Sequence, residues 1–330
     1  MNTIQSPARR RIVLASALAA VTGAVQAQPD AFPSRPVSLI IPFPPGGAVD
    51  QAGRPLGLAL SKIWKQPVVV NNKGGAGGGI GMGAAAIAPA DGYTLLAAHP
   101  ALLALPESER LFGRKTAYDR SSFAPLALLV ADPLVLVVKS SSPWKTYEEF
   151  VADAKAKPET ITYSSSGSYG ALHLPIEMLA EAADIKLRHI PYSGGGPAIL
   201  AVLSGQVAAT TASPSVIAPH IKSGEMRALV STGVQRHPLL PAVRTAKELG
   251  YKDVESYLWV GIFAPAKTDP ALVQVLRRDI GRAVQEKEFA QALTAAGAQI
   301  DYRDGPAFAS FLDKDAAMIH AAIQRIGKVD

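Results

Sequence analysis

Apolar residues along this 330-residue chain come in short blocks, each closed by glycine or proline and followed by a run of helical period. Residues 37–43 (VSLIIPF) form a β-branched block that stops at Pro44-Pro45-Gly46-Gly47. Residues 48–64 then repeat apolar positions at three- and four-residue spacing, with Asp50 in the first turn. Strand, glycine turn and helix in that order make the βα unit of a parallel sheet. The unit recurs as a strand at 67–71, a loop at 74–79 and a small-residue helix at 80–88, with a further strand at 93–98 after Asp91-Gly92. A helix at 146–157, a strand at 161–164, a Ser/Gly loop at 164–170 and a helix to 183 repeat it again. A strand at 187–191, a loop at 193–196 and a helix at 197–204 follow, then a strand at 207–211, Ser213-Pro214 as a helix start and a strand at 227–232.

Two apolar runs are longer. Residues 123–138, split by Asp132-Pro133, and 256–264 (SYLWVGIFA) read as crossings between two α/β domains. Helical patterns at 269–286, 288–297 and 306–326, with a strand at 299–303, complete the chain. A first domain over 28–127 and 254–330 and a second over 128–253 would have two linkers side by side, which is a hinge around a cleft.

Composition narrows the chemistry. The absence of cysteine excludes disulfides, zinc–cysteine sites, iron–sulfur clusters and thiol nucleophiles. Glycine (28) and proline (26) show no fixed period, so neither a collagen-like nor a low-complexity chain is indicated. Residues 1–27 carry Arg9, Arg10 and Arg11 but no acid, then an apolar run from Ile12 and small residues before Gln28. That is a secretory signal, cleaved after Ala27, and it predicts a periplasmic protein. Arginines alone leave open whether export is general or twin-arginine. Removing the signal lowers the net charge from +6 to +3, and no Lys/Arg cluster interleaves with aromatics, so nucleic acid is not an expected partner.

Candidate chemistry lies in the glycine-rich loops at the strand-to-helix junctions 44–47, 74–79, 164–170 and 193–196. In open α/β sheets such loops gather beyond the carboxyl ends of the strands, where helix N-terminal amides suit an anion. Gly79-Ile80-Gly81-Met82-Gly83-Ala84 fits G-x-G-x-x-A, but it starts too far after its strand and lacks the downstream acid, so no dinucleotide is expected. Six histidines show no metal-ligand spacing, and 166–170 resembles a serine elbow only loosely. No catalytic residue, metal or cofactor emerges. Asp50 either caps its own helix or meets the ligand, with capping favoured. His99, directly after a strand, is either a ligand contact or loop support. Tyr169, a large aromatic inside a Ser/Gly loop, is a candidate pocket wall; His173 suits packing or capping, and Trp259 the hinge or core.

These segments resemble one family closely. Arg35-Pro36-Val37 through Pro44-Pro45-Gly46-Gly47-Ala48-Val49-Asp50 looks like its N-terminal signature. The blocks 70–81, 91–96, Ser165-Ser166-Gly167 with His173-Leu174, 191–198, 219–229 and Trp259-Val260-Gly261 with Ala264-Pro265-Ala266 follow in the same order. The family is the extracytoplasmic solute receptors of tripartite tricarboxylate transporters, the Bug receptors. The resemblance implies a type II periplasmic-binding-protein fold, two doubly wound α/β domains with a ligand cleft and two hinge crossings, without catalysis. It implies a small organic carboxylate as ligand, the membrane subunits of a tripartite transporter as partner, and a monomer. Carried over, the contacts fall on Phe43, Gly46, Gly47, Asp50, Gly75 and Ala76 from the first domain. From the second they fall on Ser166, Gly167, Ser168, Tyr192, Ser193 and Gly195; His99 and Tyr169 join them from the residue reading.

Three departures bear on the ligand. Gly167-Ser168-Tyr169-Gly170 stands where the family reads G-x-G-[ST]. Ala208 and Ala212 replace two acids, and 105–120 lacks the expected Y-[DN]-P-x-x-D-F. Loss of the acids favours an aromatic or aliphatic carboxylate without an ammonium group. A receptor presenting its ligand to a membrane kinase would use the same closed form, and neighbouring genes would separate the two roles. An enzyme on a doubly wound scaffold is disfavoured for want of a nucleophile–base or metal set.

Overall fold

The computed structural model describes residues 32–328; the export signal read at 1–27 lies outside them. The first apolar block forms strand β1 (Val37–Ile41), and the turn after it leads into helix α1 (Ala48–Trp64). Strand β2 (Val68–Asn72), helix α2 (Gly79–Ala86) and strand β3 (Thr94–Ala98) follow. Helix α3 (Ala101–Leu111) has no counterpart in the sequence reading. Pro106 interrupts its interior, and one tertiary face is enough to hold it, since Leu102, Leu103 and Pro106 are buried. The first crossing is a pair of strands, β4 (Phe123–Pro133) and β5 (Val135–Lys139), split where Asp132-Pro133 predicts a break. Next come α4 (Tyr147–Ala156), β6 (Thr162–Ser165), α5 (Leu174–Ala183), β7 (Arg188–Pro191), α6 (Gly195–Ser204), β8 (Ala209–Ala212), α7 (Pro214–Lys222) and β9 (Met226–Ser231). The second crossing is β10 (Tyr257–Pro265), followed by α8 (Pro270–Ala283), α9 (Lys287–Ala295), β11 (Ile300–Asp304) and α10 (Gly305–Ile326).

Among the described residues these strands make two sheets with one plan. The first runs β11-β4-β10-β3-β1-β2 and the second β7-β6-β8-β5-β9. In each, the first strand of the half (β1 or β6) pairs in parallel with the second and third, and one antiparallel strand is a crossing. β10 enters the first sheet from the second, and β5 enters the second from the first. Thr232 stitches the crossings together. Its amide donates to Leu134 O (2.8 Å), its Oγ1 accepts from Leu134 N (3.1 Å) and donates to Ser256 O (2.6 Å).

Each sheet has its own core. Beside β10, the fully buried Trp259 packs against Phe263, Phe308 and Phe311, and its Nε1 donates to the carboxylate of Asp315 at 2.6 Å. Gly261 lets that cluster approach the strand: a Cβ there would lie 2.1 Å from the Phe308 ring. On the second sheet, Tyr163 of β6 packs in one cluster with Tyr147, Phe150, Ile176 and Leu179.

Candidate functional site

The loops following β1, β2, β3, β6 and β7 converge at the carboxyl ends of the two sheets. They are in contact: a Cβ on Gly167 would meet the Gly77 Cα at 3.0 Å, and one on Gly194 would meet Pro44 Cδ at 3.0 Å. Behind these contacts lies an inner cavity of ≈ 40 Å³, lined by Phe43, Gly47, His99, Ser166, Gly195 and apolar neighbours that include Leu172 and Leu258. That volume exceeds the 10–15 Å³ or so that one water needs. Among the described residues no charged side chain lines it.

Its polar groups are hydrogen-bond donors supplied by the fold. Helix α1 begins at the extended Gly47 with no side-chain cap, and its first internal bond is Gln51 N to Gly47 O, so the preceding amides have no partner within the helix. Helix α6 likewise begins without a side-chain cap, its first internal bond being Ala198 N to Gly194 O. Two helix N-termini, one beside each sheet, therefore face one cavity, an arrangement that favours negative charge through amides and helix dipole together. Ser166 adds a hydroxyl that is almost fully buried and has no hydrogen-bond partner among the described residues.

His99 adds a neutral donor. Its Nδ1 accepts from the Ala101 amide (3.1 Å) and its ring stacks on Phe43 with centroids 4.1 Å apart. Burial pushes its pKa down to about 3, so the ring is neutral at pH 7 and carries its proton on Nε2.

Asp50, Gly46 and Gly75 do not line this cavity. The Asp50 carboxylate accepts from Gly46 N (3.2 Å), Arg54 Nη2 (2.6 Å) and Asn72 Nδ2 (3.2 Å), while Asn72 also donates to Phe43 O (3.0 Å). Burial alone would raise its pKa, but the bonds from Arg54, Asn72 and Gly46 outweigh that and hold it below the usual carboxylate range. Asp50 therefore ties the turn carrying Phe43 and Gly47 to its own helix and to β2.

Ala76, Gly167, Ser168, Tyr169, Tyr192 and Ser193 border a second, outer space of ≈ 480 Å³, together with Leu105, Phe112 and Arg114. Arg114 is held there by a two-pronged ion pair with Glu109 (2.7 and 2.9 Å). Tyr169 donates its hydroxyl to Gly327 O (3.0 Å) and meets the Phe112 ring edge-on at 5.8 Å. Two departures from the family pattern, Tyr169 and the 105–120 segment, thus touch each other. The sequence reading missed Leu172, Leu258 and Phe112. Leu258 sits at the start of the crossing strand β10, and only the topology brings it to the cavity.

Comparison with known proteins settles the family. Residues 53–328 match the tripartite tricarboxylate transporter family receptor. This chain belongs to that family. The Bug protein BugT of Bordetella pertussis is 36% identical over 270 residues, covering 82% of each chain. Of solved structures, MatC (Rpa3494) from Rhodopseudomonas palustris with bound malate is 27% identical with a TM-score of 0.82, covering 88% of this chain and 100% of that one. R. palustris Rpa4515 with adipate is 26% identical with a TM-score of 0.83, covering 90% and 98%. The fold is that of a periplasmic solute-binding protein, and the family is one of receptors rather than enzymes.

Proposed function

We propose that this receptor works in the periplasm, that its two sheets mark two lobes closing over the inner cavity, and that the ligand is a small organic carboxylate without an ammonium group. The membrane subunits of a tripartite tricarboxylate-type transporter are its proposed partner. The carrying observation is the pair of uncapped helix N-termini, α1 and α6, facing one cavity whose side chains include neutral donors but no charge. An anion is stabilised there by amides, the Ser166 hydroxyl and His99 Nε2–H without a cationic side chain. An ammonium group would need a buried carboxylate partner, and Ala212, almost fully buried in β8, stands where the family usually has an acid. The malate and adipate bound by the two relatives agree in chemical class.

A thermal-shift screen of the purified protein tests this. Ligand at 100 times its dissociation constant adds about 2.7 kcal/mol, a shift of several degrees. At least one acid from a panel of malate, adipate and benzoate is expected to give it, and glutamate and aspartate to give none. A tight glutamate or aspartate complex in calorimetry overturns the choice of ligand class.

A further inference from the structure

Directly behind the loop that carries Ser166 and Gly167 lies a cluster that the binding chemistry leaves unused: the buried Tyr163 and Ser165 on β6 and His173 at the start of α5, with the half-buried Glu177 on α5 and His189 on β7. The two imidazoles lie in contact, centroids 4.0 Å apart and planes tilted by 35°, with the Tyr163 ring stacked at 5.1 Å from His189 and 6.0 Å from His173. Each is connected to the loop. The Tyr169 amide donates to His173 Nδ1 at 2.9 Å. Ser165 Oγ donates to Gly167 O (3.0 Å), accepts from Gly167 N (3.1 Å) and contacts His189 Nε2 at 2.6 Å.

The loop needs such support. Tyr169 adopts φ +56°, the left-handed region, which a large side chain occupies only when its surroundings enforce it. Two bonds do so here, the amide to His173 and the hydroxyl to Gly327 O. The amide bond requires a lone pair on His173 Nδ1. An imidazolium there would present a second donor to the Tyr169 N–H and would stand against the neighbouring His189 ring.

We propose that His173 is a positioning residue for the ligand loop: as a neutral acceptor it holds 166–170 in binding geometry, and carboxylate affinity falls when that acceptor is lost. The affinity part rests on the binding-site reading above. The groups facing His173 are His189, Tyr163, Tyr169 and Glu177, whose Oε1 lies 3.8 Å from His173 Nε2 and accepts the Tyr163 hydroxyl. Burial, and then the adjacent His189, push the His173 pKa well down; burial also lowers His189 to about 4 and raises Glu177. The pair is thus neutral at pH 7, the state in which His173 Nδ1 can accept the Tyr169 amide.

The test compares His173→Phe, which keeps a buried ring but no acceptor, with His173→Asn, whose side-chain oxygen can replace Nδ1. Amide exchange at Tyr169, measured without ligand, is expected to quicken about 5- to 100-fold in His173→Phe, the range for an unpaired buried donor, and to return most of the way in His173→Asn. Affinities for malate and adipate, measured by calorimetry, should fall in parallel. Unchanged exchange in His173→Phe, or no recovery in His173→Asn, overturns the proposal. Exchange that responds as expected while malate and adipate bind equally to wild type and His173→Phe upholds the positioning role and removes the loop from the ligand site, so the binding-site reading falls instead.

Discussion

Replacing Gly47 by valine is expected to weaken carboxylate binding by about 100-fold or more and leave the fold intact. Gly47 has an ordinary extended backbone (φ −81°, ψ 171°), so a larger residue meets no conformational penalty there. A Cβ at this position finds no atom within 4 Å, and the residue lines the inner cavity. A valine side chain would therefore project into the space where the carboxylate is proposed to sit and would screen the first amides of α1. Valine is a poorer helix start than glycine, at a cost of a fraction of a kcal/mol up to about 1. Affinity should drop by about 100-fold or more, equivalent to about 2.7 kcal/mol. Gly196 on α6 is the independent control. It also lines the cavity and has nothing within 4 Å of its Cβ, so Gly196→Val should act in the same way from the opposite side. Calorimetry with the acid found by the screen, paired with a melting curve for each variant, reads both effects. Gly167→Val is a poorer choice, because its φ of +126° would strain the backbone as well as obstruct the contact with Gly77.

The largest loss of stability is expected at Trp259. Truncation to alanine removes the centre of the aromatic cluster on β10, and for a fully buried tryptophan this costs about 3–5 kcal/mol. It also removes the donor that faces Asp315. Burial raises the Asp315 pKa to about 6, with the Trp259 bond pulling the other way. Trp259→Phe separates the two contributions by keeping a ring and deleting only the N–H. A carboxyl whose folded pKa exceeds its unfolded value favours folding fully below the unfolded value and loses that contribution as pH rises through the folded one. Loss of the Trp259 bond lifts the folded pKa further, so Trp259→Phe should be more destabilising at pH 7, where Asp315 is charged, than at pH 4, where it is protonated. Urea unfolding at the two pH values gives the comparison. An equal deficit at both would mean that the Trp259–Asp315 bond carries no charge-dependent part.

The βα units were readable because each carries its own local signal. β1 announces itself by β-branching, its end by Pro44-Pro45-Gly46-Gly47, and α1 by apolar period, and none of these depends on distant chain. Helix α3 was not readable, since Pro106 contradicts a helix locally and only packing overrides it. The glycine loops marked the site at the level of segments. Which residues face the inner cavity was a tertiary matter: Phe43, Gly47, His99, Ser166 and Gly195 do, whereas Tyr169 lines the outer space with its hydroxyl on Gly327, more than 150 positions away. Asp50 shows the limit of motif reading from the other side. Its position suggested capping or ligand contact, and the bonds to Gly46, Arg54 and Asn72 that occupy it involve one partner on another strand.

The claim that the ligand sits between the N-termini of α1 and α6 is tested most directly by a crystal structure of the protein with the acid that gives the largest thermal shift. A carboxylate is expected in the inner cavity, its oxygens within hydrogen-bond distance of α1 or α6 amides and of Ser166 Oγ or His99 Nε2. A carboxylate bound only in the outer space beside Tyr192 and Arg114, with the inner cavity holding water, would contradict it.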